Sequence, residues 1–117
     1  MGYMTLRFVG ALLALATITL YQGAVLAAGD PERGKSLYGV CSTCHGEKAE
    51  GLQEMNAPAL AGRESWYIIR QLQNFKSGVR GTDPGDTYGL QMAPMAQLLT
   101  DKQAMEDVAA YLSSLGD

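Results

Sequence analysis

Cys41-Ser42-Thr43-Cys44-His45 sets two thiols three positions apart with an imidazole directly after the second, the arrangement that attaches a c-type haem. Each thiol can add to one vinyl group of the same porphyrin, and the adjacent histidine is then held beneath the iron as an axial ligand. Other uses of a C-x-x-C pair fit less well. A thioredoxin-like redox motif wants a βαβ pattern around it, and no strand pattern is visible here. A structural zinc site needs four donors, typically Cys and His, and the chain holds two Cys and one His.

With His45 the only histidine, a sixth ligand for the iron has to be something else. Thioether sulfur is a soft donor that stabilises ferrous iron, so a Met/His pair raises the reduction potential. Met92 and Met95, in Gln91-Met92-Ala93-Pro94-Met95-Ala96, are the candidates. Met55 lies only ten residues past His45, a short span in which to cross to the opposite haem face. Met105 falls on an apolar helical stripe and is most simply core. Gap-filling in the core is the alternative role for whichever of Met92 and Met95 does not bind iron.

Three helices are expected to position these groups. Asp30 can cap and Pro31 can start the first, which runs through Leu37 and Tyr38 into the haem motif. Gly34 inside it costs helix propensity, which a close approach by another helix would explain. The second is expected from Ser65 to Ser77, with Ile68, Leu72, Phe75 and Val79 at helical spacing, Gly78 as its stop, and Arg70, Gln73 and Lys76 left wet. The third begins at Thr100, with Gln103 completing a capping box and Met105, Val108, Leu112 and Leu115 forming its buried stripe. Two Gly- and Pro-rich loops, 46–62 and 77–91, separate the helices. Loops of that length in a small domain need something to wrap, and a haem edge provides it.

The first 27 residues carry an export pattern. Met1 to Arg7 has one positive charge and no acid, Phe8 to Leu20 is an apolar run, and Val25-Leu26-Ala27 offers small residues for cleavage. The run is short against the roughly 20 residues of a spanning helix. The expected division is a signal peptide over 1–27 and one domain over 28–117, working in the periplasm. Arg7 is the only charge in that leader, so the net charge of −3 becomes −4 without it. An acidic surface argues against nucleic acid as a partner and favours a protein with a basic docking face.

Taken together, Cys41 to His45, Pro58-Ala-Leu-Ala-Gly62, Tyr67-Ile-Ile-Arg-Gln71, Met92-Ala-Pro-Met95, Leu99-Thr-Asp101 and Asp107-Val-Ala-Ala-Tyr111 resemble a class I c-type cytochrome over the whole of 28–117. The likeness is to one half of the two-domain dihaem cytochromes, with a single haem motif. It implies an all-α fold, three main helices and loops wrapped around one covalently attached haem. Cys41 and Cys44 would form the thioethers, and His45 would be the proximal ligand. The Pro58 carbonyl would accept the free ring N–H of His45. Met92 would be the distal ligand, because in similar sequences the ligand precedes the leucine of the "Leu-Ser/Thr-Asp" helix start by seven residues, as Met92 precedes Leu99; Met95 is the reserve. Gly34 and Tyr38 would cross Val108 and Tyr111 where the first and last helices touch, and Trp66, Tyr67 and Tyr88 would line the haem or pack nearby.

The function implied is electron transfer with no substrate turned over: one electron at a time, through a partly exposed haem edge. A quinol-oxidising complex or dehydrogenase would serve as donor, and a terminal oxidase or reductase as acceptor. A dedicated cytochrome subunit of a larger oxidoreductase is the alternative. A haem-based gas sensor or peroxidase would need an open sixth position, against which the two methionines count.

Overall fold

The computed structural model describes residues 29–116, so the expected leader over 1–27 lies outside the described residues. Helix α1 spans Pro31–Tyr38. The Asp30 carboxylate accepts the Glu32 and Arg33 amides at 2.9 and 3.2 Å, and Pro31 occupies a first-turn position where its missing N–H costs nothing. One turn further on, α2 is the four-residue segment Ser42–His45, closed by Gly46 at φ +87°. A 3₁₀ turn, Gln53–Met55, follows within the long loop, and the only pairing of β type among the described residues is the isolated bridge between Leu52 and Ala57.

Helix α3 spans Ser65–Ser77 and stops at Gly78, whose φ of +76° is the left-handed conformation that glycine takes at a helix end. Ile68, Leu72 and Phe75 are buried along it, but Val79 is 76% exposed. The periodic pattern overruns the helix there: beyond Gly78 the chain has turned away and Val79 no longer shares the buried face. Nor does Lys76 stay wet. Its Nζ donates to the Leu99 carbonyl at 2.6 Å and to the Ala96 carbonyl at 3.4 Å, satisfying acceptors at the end of the next helix.

That next helix is the main departure from expectation. Residues 77–91 do not form one continuous loop, because α4 spans Thr87–Gln97 and carries Met92 and Met95. Asp86 initiates it by accepting the Gly89 amide at 2.8 Å. Gly85, Gly89 and Pro94 all signal a break in the sequence, and Pro94 does remove one ladder donor from the helix interior. Packing against α3 and the Lys76 clamp compensate, a case of tertiary contact overriding local propensity.

Helix α5 spans Lys102–Ser114 and is capped by Asp101, not Thr100: Asp101 Oδ1 accepts the Ala104 amide at 2.7 Å. An aspartate caps as well as a threonine, and with the start moved by one residue Gln103 no longer stands where a capping box needs it. Its amide instead donates to Asp107 Oδ1 at 2.8 Å. Met105, Val108 and Leu112 are buried as expected, with Leu115 partly so.

Helices α1 and α5 cross in close contact, and α3 lies against both α4 and α5. The crossing explains Gly34. A Cβ there would overlap the Asp107 carbonyl and stand 2.9 Å from the Tyr111 Cβ. The Tyr38 and Tyr111 rings stack in a tilted pair, centroids 5.5 Å apart. Replacing Gly34 with Ala is therefore expected to push the helices apart at a cost of about 2–3 kcal/mol, the range of core overpacking, read as a lowered thermal midpoint of the haem-loaded protein. A midpoint equal to wild type would show that the crossing tolerates a methyl group.

Candidate haem site

The thiols, the histidine and both α4 methionines meet at one cavity. Its volume is about 420 Å³, its walls are mostly apolar, and Cys41, Cys44, His45, Pro58, Met92 and Met95 all line it. That size falls in the range of cofactor sites, roughly 300–1,000 Å³. Helix α2, the loop 46–62, α4, and Ile68, Leu72 and Phe75 of α3 all contribute to the lining.

His45 is 7% exposed, and its Nδ1 lies 2.8 Å from the Pro58 carbonyl oxygen. A carbonyl only accepts, so this bond places the ring proton on Nδ1 and leaves the Nε2 lone pair free to bind a metal. The backbone holds the pair in register. Gly51, at φ +82°, lies so close to the Pro58 segment that a Cβ would be 2.5 Å from the Ala59 nitrogen and 2.9 Å from the Pro58 carbonyl carbon. The Gly51 amide donates to the His45 carbonyl at 2.8 Å, and the Ala49 carbonyl accepts the amides of both Leu60 and Ala61 at 2.8 and 3.0 Å. The loop therefore has internal ties besides whatever it wraps. Beneath it, the Tyr38 hydroxyl donates to the Gly46 carbonyl at 2.7 Å; burial, with the nearby Cys41, Glu50 and Tyr111 adding to it, pushes that phenol well above its ordinary pKa.

Cys41 and Cys44 are free of any disulfide and half-buried. Burial, and then the neighbouring Cys44, push the Cys41 thiol above its usual pKa. A thiol kept neutral is a poor metal ligand, since the thiolate is the form that binds. Among the described residues no group of three His, Cys, Asp or Glu side chains could hold a metal ion. Both thiols are free to form thioether bonds to a porphyrin. The residues thus fit a haem: two free thiols, one imidazole whose Nε2 is not used in the bond to Pro58, an apolar slot and sulfur donors on a separate helix.

Tyr67 and Tyr88 line the cavity, whereas Trp66 does not; the residue is 60% exposed, with the Arg70 guanidinium 5.7 Å from its ring centre. Met55 is a lining residue at the mouth. Met105 is core, 6% exposed. Sequence reasoning gave no site role to Arg63, Gln71 or Arg80, which also line the cavity. No spacing marks them, because a polar residue at a cavity edge looks like any other surface residue until the fold brings the edges together.

A helical domain with a covalent-haem motif at an apolar cavity is the architecture of a c-type cytochrome. The family model for cytochrome c matches residues 31–116, and the chain belongs to the cytochrome c family: it binds haem c covalently, and Cys41 and Cys44 stand at the spacing that attachment requires. It is 40% identical over 97 residues to cytochrome c4 of Stutzerimonas stutzeri, an alignment covering 79% of this chain and 44% of that protein. Against cytochrome c4 of Azotobacter vinelandii the identity is 36% over 109 residues, 86% of this chain and 50% of the relative. The thiosulfate dehydrogenase electron acceptor of Stutzerimonas stutzeri (strain A1501) is 37% identical over 75 residues, 64% of this chain and 31% of the relative. The chain thus spans half or less of each of these relatives, consistent with a monohaem domain resembling half of a dihaem protein. No helix among the described residues is long and apolar enough to cross a membrane.

Proposed function

We propose that this chain is a periplasmic one-electron carrier in which His45 and Met92 are the axial ligands of the haem iron. The observation that carries the reading is the convergence of His45 with the two methionines of α4 on one cavity. Haem bound there supplies reversible cycling between ferric and ferrous iron. The chain's own residues do the rest. Pro58 orients the imidazole through Nδ1 and raises its basicity. Ile68, Leu72 and Phe75 exclude water, which together with a sulfur ligand favours the reduced state. Met92 and Met95 stand three residues apart on α4 and so share a face; Met92 also packs against the core, and its spacing before Leu99 matches similar sequences. Met95 is the reserve.

Exposed Val40, Met55 and Tyr88 at the cavity edge offer an apolar rim for short-lived encounters, which bury under about 1,200 Å² in total. The acidic net charge suits partners with a basic docking face: a quinol-oxidising complex or dehydrogenase as donor, a terminal oxidase or reductase as acceptor. The likeness to a thiosulfate dehydrogenase electron acceptor adds a sulfur-compound dehydrogenase to the donors worth assaying. A second reading, a cytochrome subunit working beside another redox domain, is favoured by the greater length of the c4 relatives. Stable copurification with a second redox protein would support it over a free shuttle.

Substitution of each methionine tests the ligand set. In Met92→Ala the sulfur-to-iron charge-transfer band is expected to vanish and the potential to fall, while Met95→Ala retains both. The opposite pattern assigns the iron to Met95, and a retained band in each single variant would mean that neither is the required ligand.

A further inference from the structure

We propose that Arg80 is the carboxylate-binding residue of the haem site, holding a propionate of the cofactor at the α3–α4 edge of the cavity. This rests on haem occupying the cavity, and it is independent of which methionine binds the iron. Haem carries two carboxylates, and an ionised carboxylate drawn toward an apolar slot is costly unless it is paired. The chain is short of cations, with nine Lys and Arg against twelve Asp and Glu. Among the described residues, Arg63 and Arg80 are the only cations that line the cavity. Among the described residues the ion pairs are Arg33 with Asp107 and Lys102 with Glu106, so neither cavity arginine has a carboxylate partner of its own. The single acid in the lining, Asp86, is engaged in capping α4 through Gly89.

Arg80 is the better organised of the two. Its guanidinium carbon lies 4.5 Å from the centre of the Phe75 ring, and its Nη1 donates to Gln71 Oε1 at 2.8 Å. Phe75 and Gln71 are one turn apart on α3, and both line the cavity. The backbone is fixed too. The Arg80 amide donates to the Asn74 carbonyl at 3.0 Å. Gly81, at φ +77°, is pressed so closely on α4 that a Cβ would be 2.5 Å from the Gly89 carbonyl oxygen and 3.0 Å from the Ala93 Cβ. A guanidinium has five N–H donors, and Gln71 takes one. The remaining donors form a planar fork whose orientation is already set by ring and amide, so little freedom is lost when a carboxylate binds. Arg63, by contrast, makes one side-chain bond, from Nε to the Ala59 carbonyl at 3.3 Å.

The consequence is electrostatic. Ferric haem carries one more positive charge than ferrous, so an unpaired propionate favours the oxidised form, and a guanidinium on that propionate shifts the balance toward the reduced form. The haem-loaded protein is compared with its Arg80→Gln, Arg80→Lys and Arg63→Gln variants by redox titration, with the low-spin spectrum and thermal midpoint as checks on integrity. The potential is expected to drop in Arg80→Gln, to recover in part in Arg80→Lys, which keeps the charge without the fork, and to stay near wild type in Arg63→Gln. A crystal structure of the wild-type haem protein is expected to show a propionate oxygen within hydrogen-bond distance of the Arg80 guanidinium. An unchanged potential in Arg80→Gln, or a larger drop in Arg63→Gln, would overturn the assignment; so would a structure with both propionates away from Arg80. If Arg80→Gln loads no haem, the wild-type haem structure decides. A wild type with a normal haem spectrum but no effect of Arg80 leaves the electron-carrier reading standing and removes this one alone.

Discussion

Replacing His45 with Ala is expected to abolish the low-spin haem altogether, leaving a tethered but high-spin iron that binds carbon monoxide readily. The thioethers would still hold the porphyrin, because Cys41 and Cys44 are untouched, but the imidazole face would have no donor. His45 is the only histidine in the chain, so no other imidazole can take its place. The loss should exceed that of disturbing the hydrogen bond from His45 to Pro58, since losing such a bond behind a metal ligand typically costs 10–100-fold in metal affinity or activity. Absorption spectra of the variant in both redox states check it, and a spectrum identical to wild type would remove His45 from the iron.

The second large effect is expected at a residue outside the cavity lining. Asp107 is fully buried, and its carboxylate accepts the Asp30 amide at 2.7 Å, the Gln103 side-chain amide at 2.8 Å and the Arg33 guanidinium at 2.6 Å. Burial alone would raise its pKa. The bonds from Gln103, Asp30 and Arg33, with the Arg33 charge, outweigh that and hold it below the ordinary carboxylate range. Asp107→Ala would strand a backbone donor and a side-chain amide at the α1–α5 crossing, each worth roughly 1–3 kcal/mol; half-exposed Arg33 can turn to water and adds little. A loss of about 3 kcal/mol follows, a fall in the thermal midpoint of order 10 °C or more for a domain this size. The sign of the pH dependence is set by the depressed pKa. The stabilisation is fully present above the unfolded carboxylate pKa of about 4 and is lost as pH falls through the lower folded value. The gap between wild type and variant should therefore be constant near neutrality and narrow below about pH 4. A gap that widened on acidification would mean that Asp107 is protonated in the folded protein.

The two effects divide the molecule in a way that its sequence also divides. Most of what is local was legible, the α5 cap at Asp101 rather than Thr100 being the exception. Asp30-Pro31 announces α1, the run ending at Gly78 bounds α3 correctly, and the C-x-x-C-H spacing marks the thiols and the histidine because the chemistry demands neighbours in sequence. What depends on distant partners was not. Helix α4 is hidden by Gly89 and Pro94, and its stability comes from contacts with α3 that no window of its own sequence contains. Lys76 looks like a surface lysine until the end of α4 arrives to accept its protons. Asp107 sits on a helix that reads as apolar on one side and charged on the other, and its partners Asp30 and Arg33 lie more than seventy residues away. Arg80 and Gln71 become a pair only when the chain turns back at Gly78. Gly34 is intermediate: the sequence indicates a close approach, and the structure supplies the helix that makes it.

The measurement that bears most directly on the carrier reading is the absorption spectrum of the wild-type protein matured with haem, oxidised and reduced, with and without carbon monoxide. The proposed ligation, a nitrogen from α2 and a sulfur from α4 on the same iron, predicts low-spin spectra in both states, a sulfur-to-iron charge-transfer band in the ferric protein, and no rapid binding of carbon monoxide to the ferrous one. High-spin iron that takes up the gas at once would contradict the His/Met site and with it the electron carrier, and would make this a domain for binding or activating a small ligand.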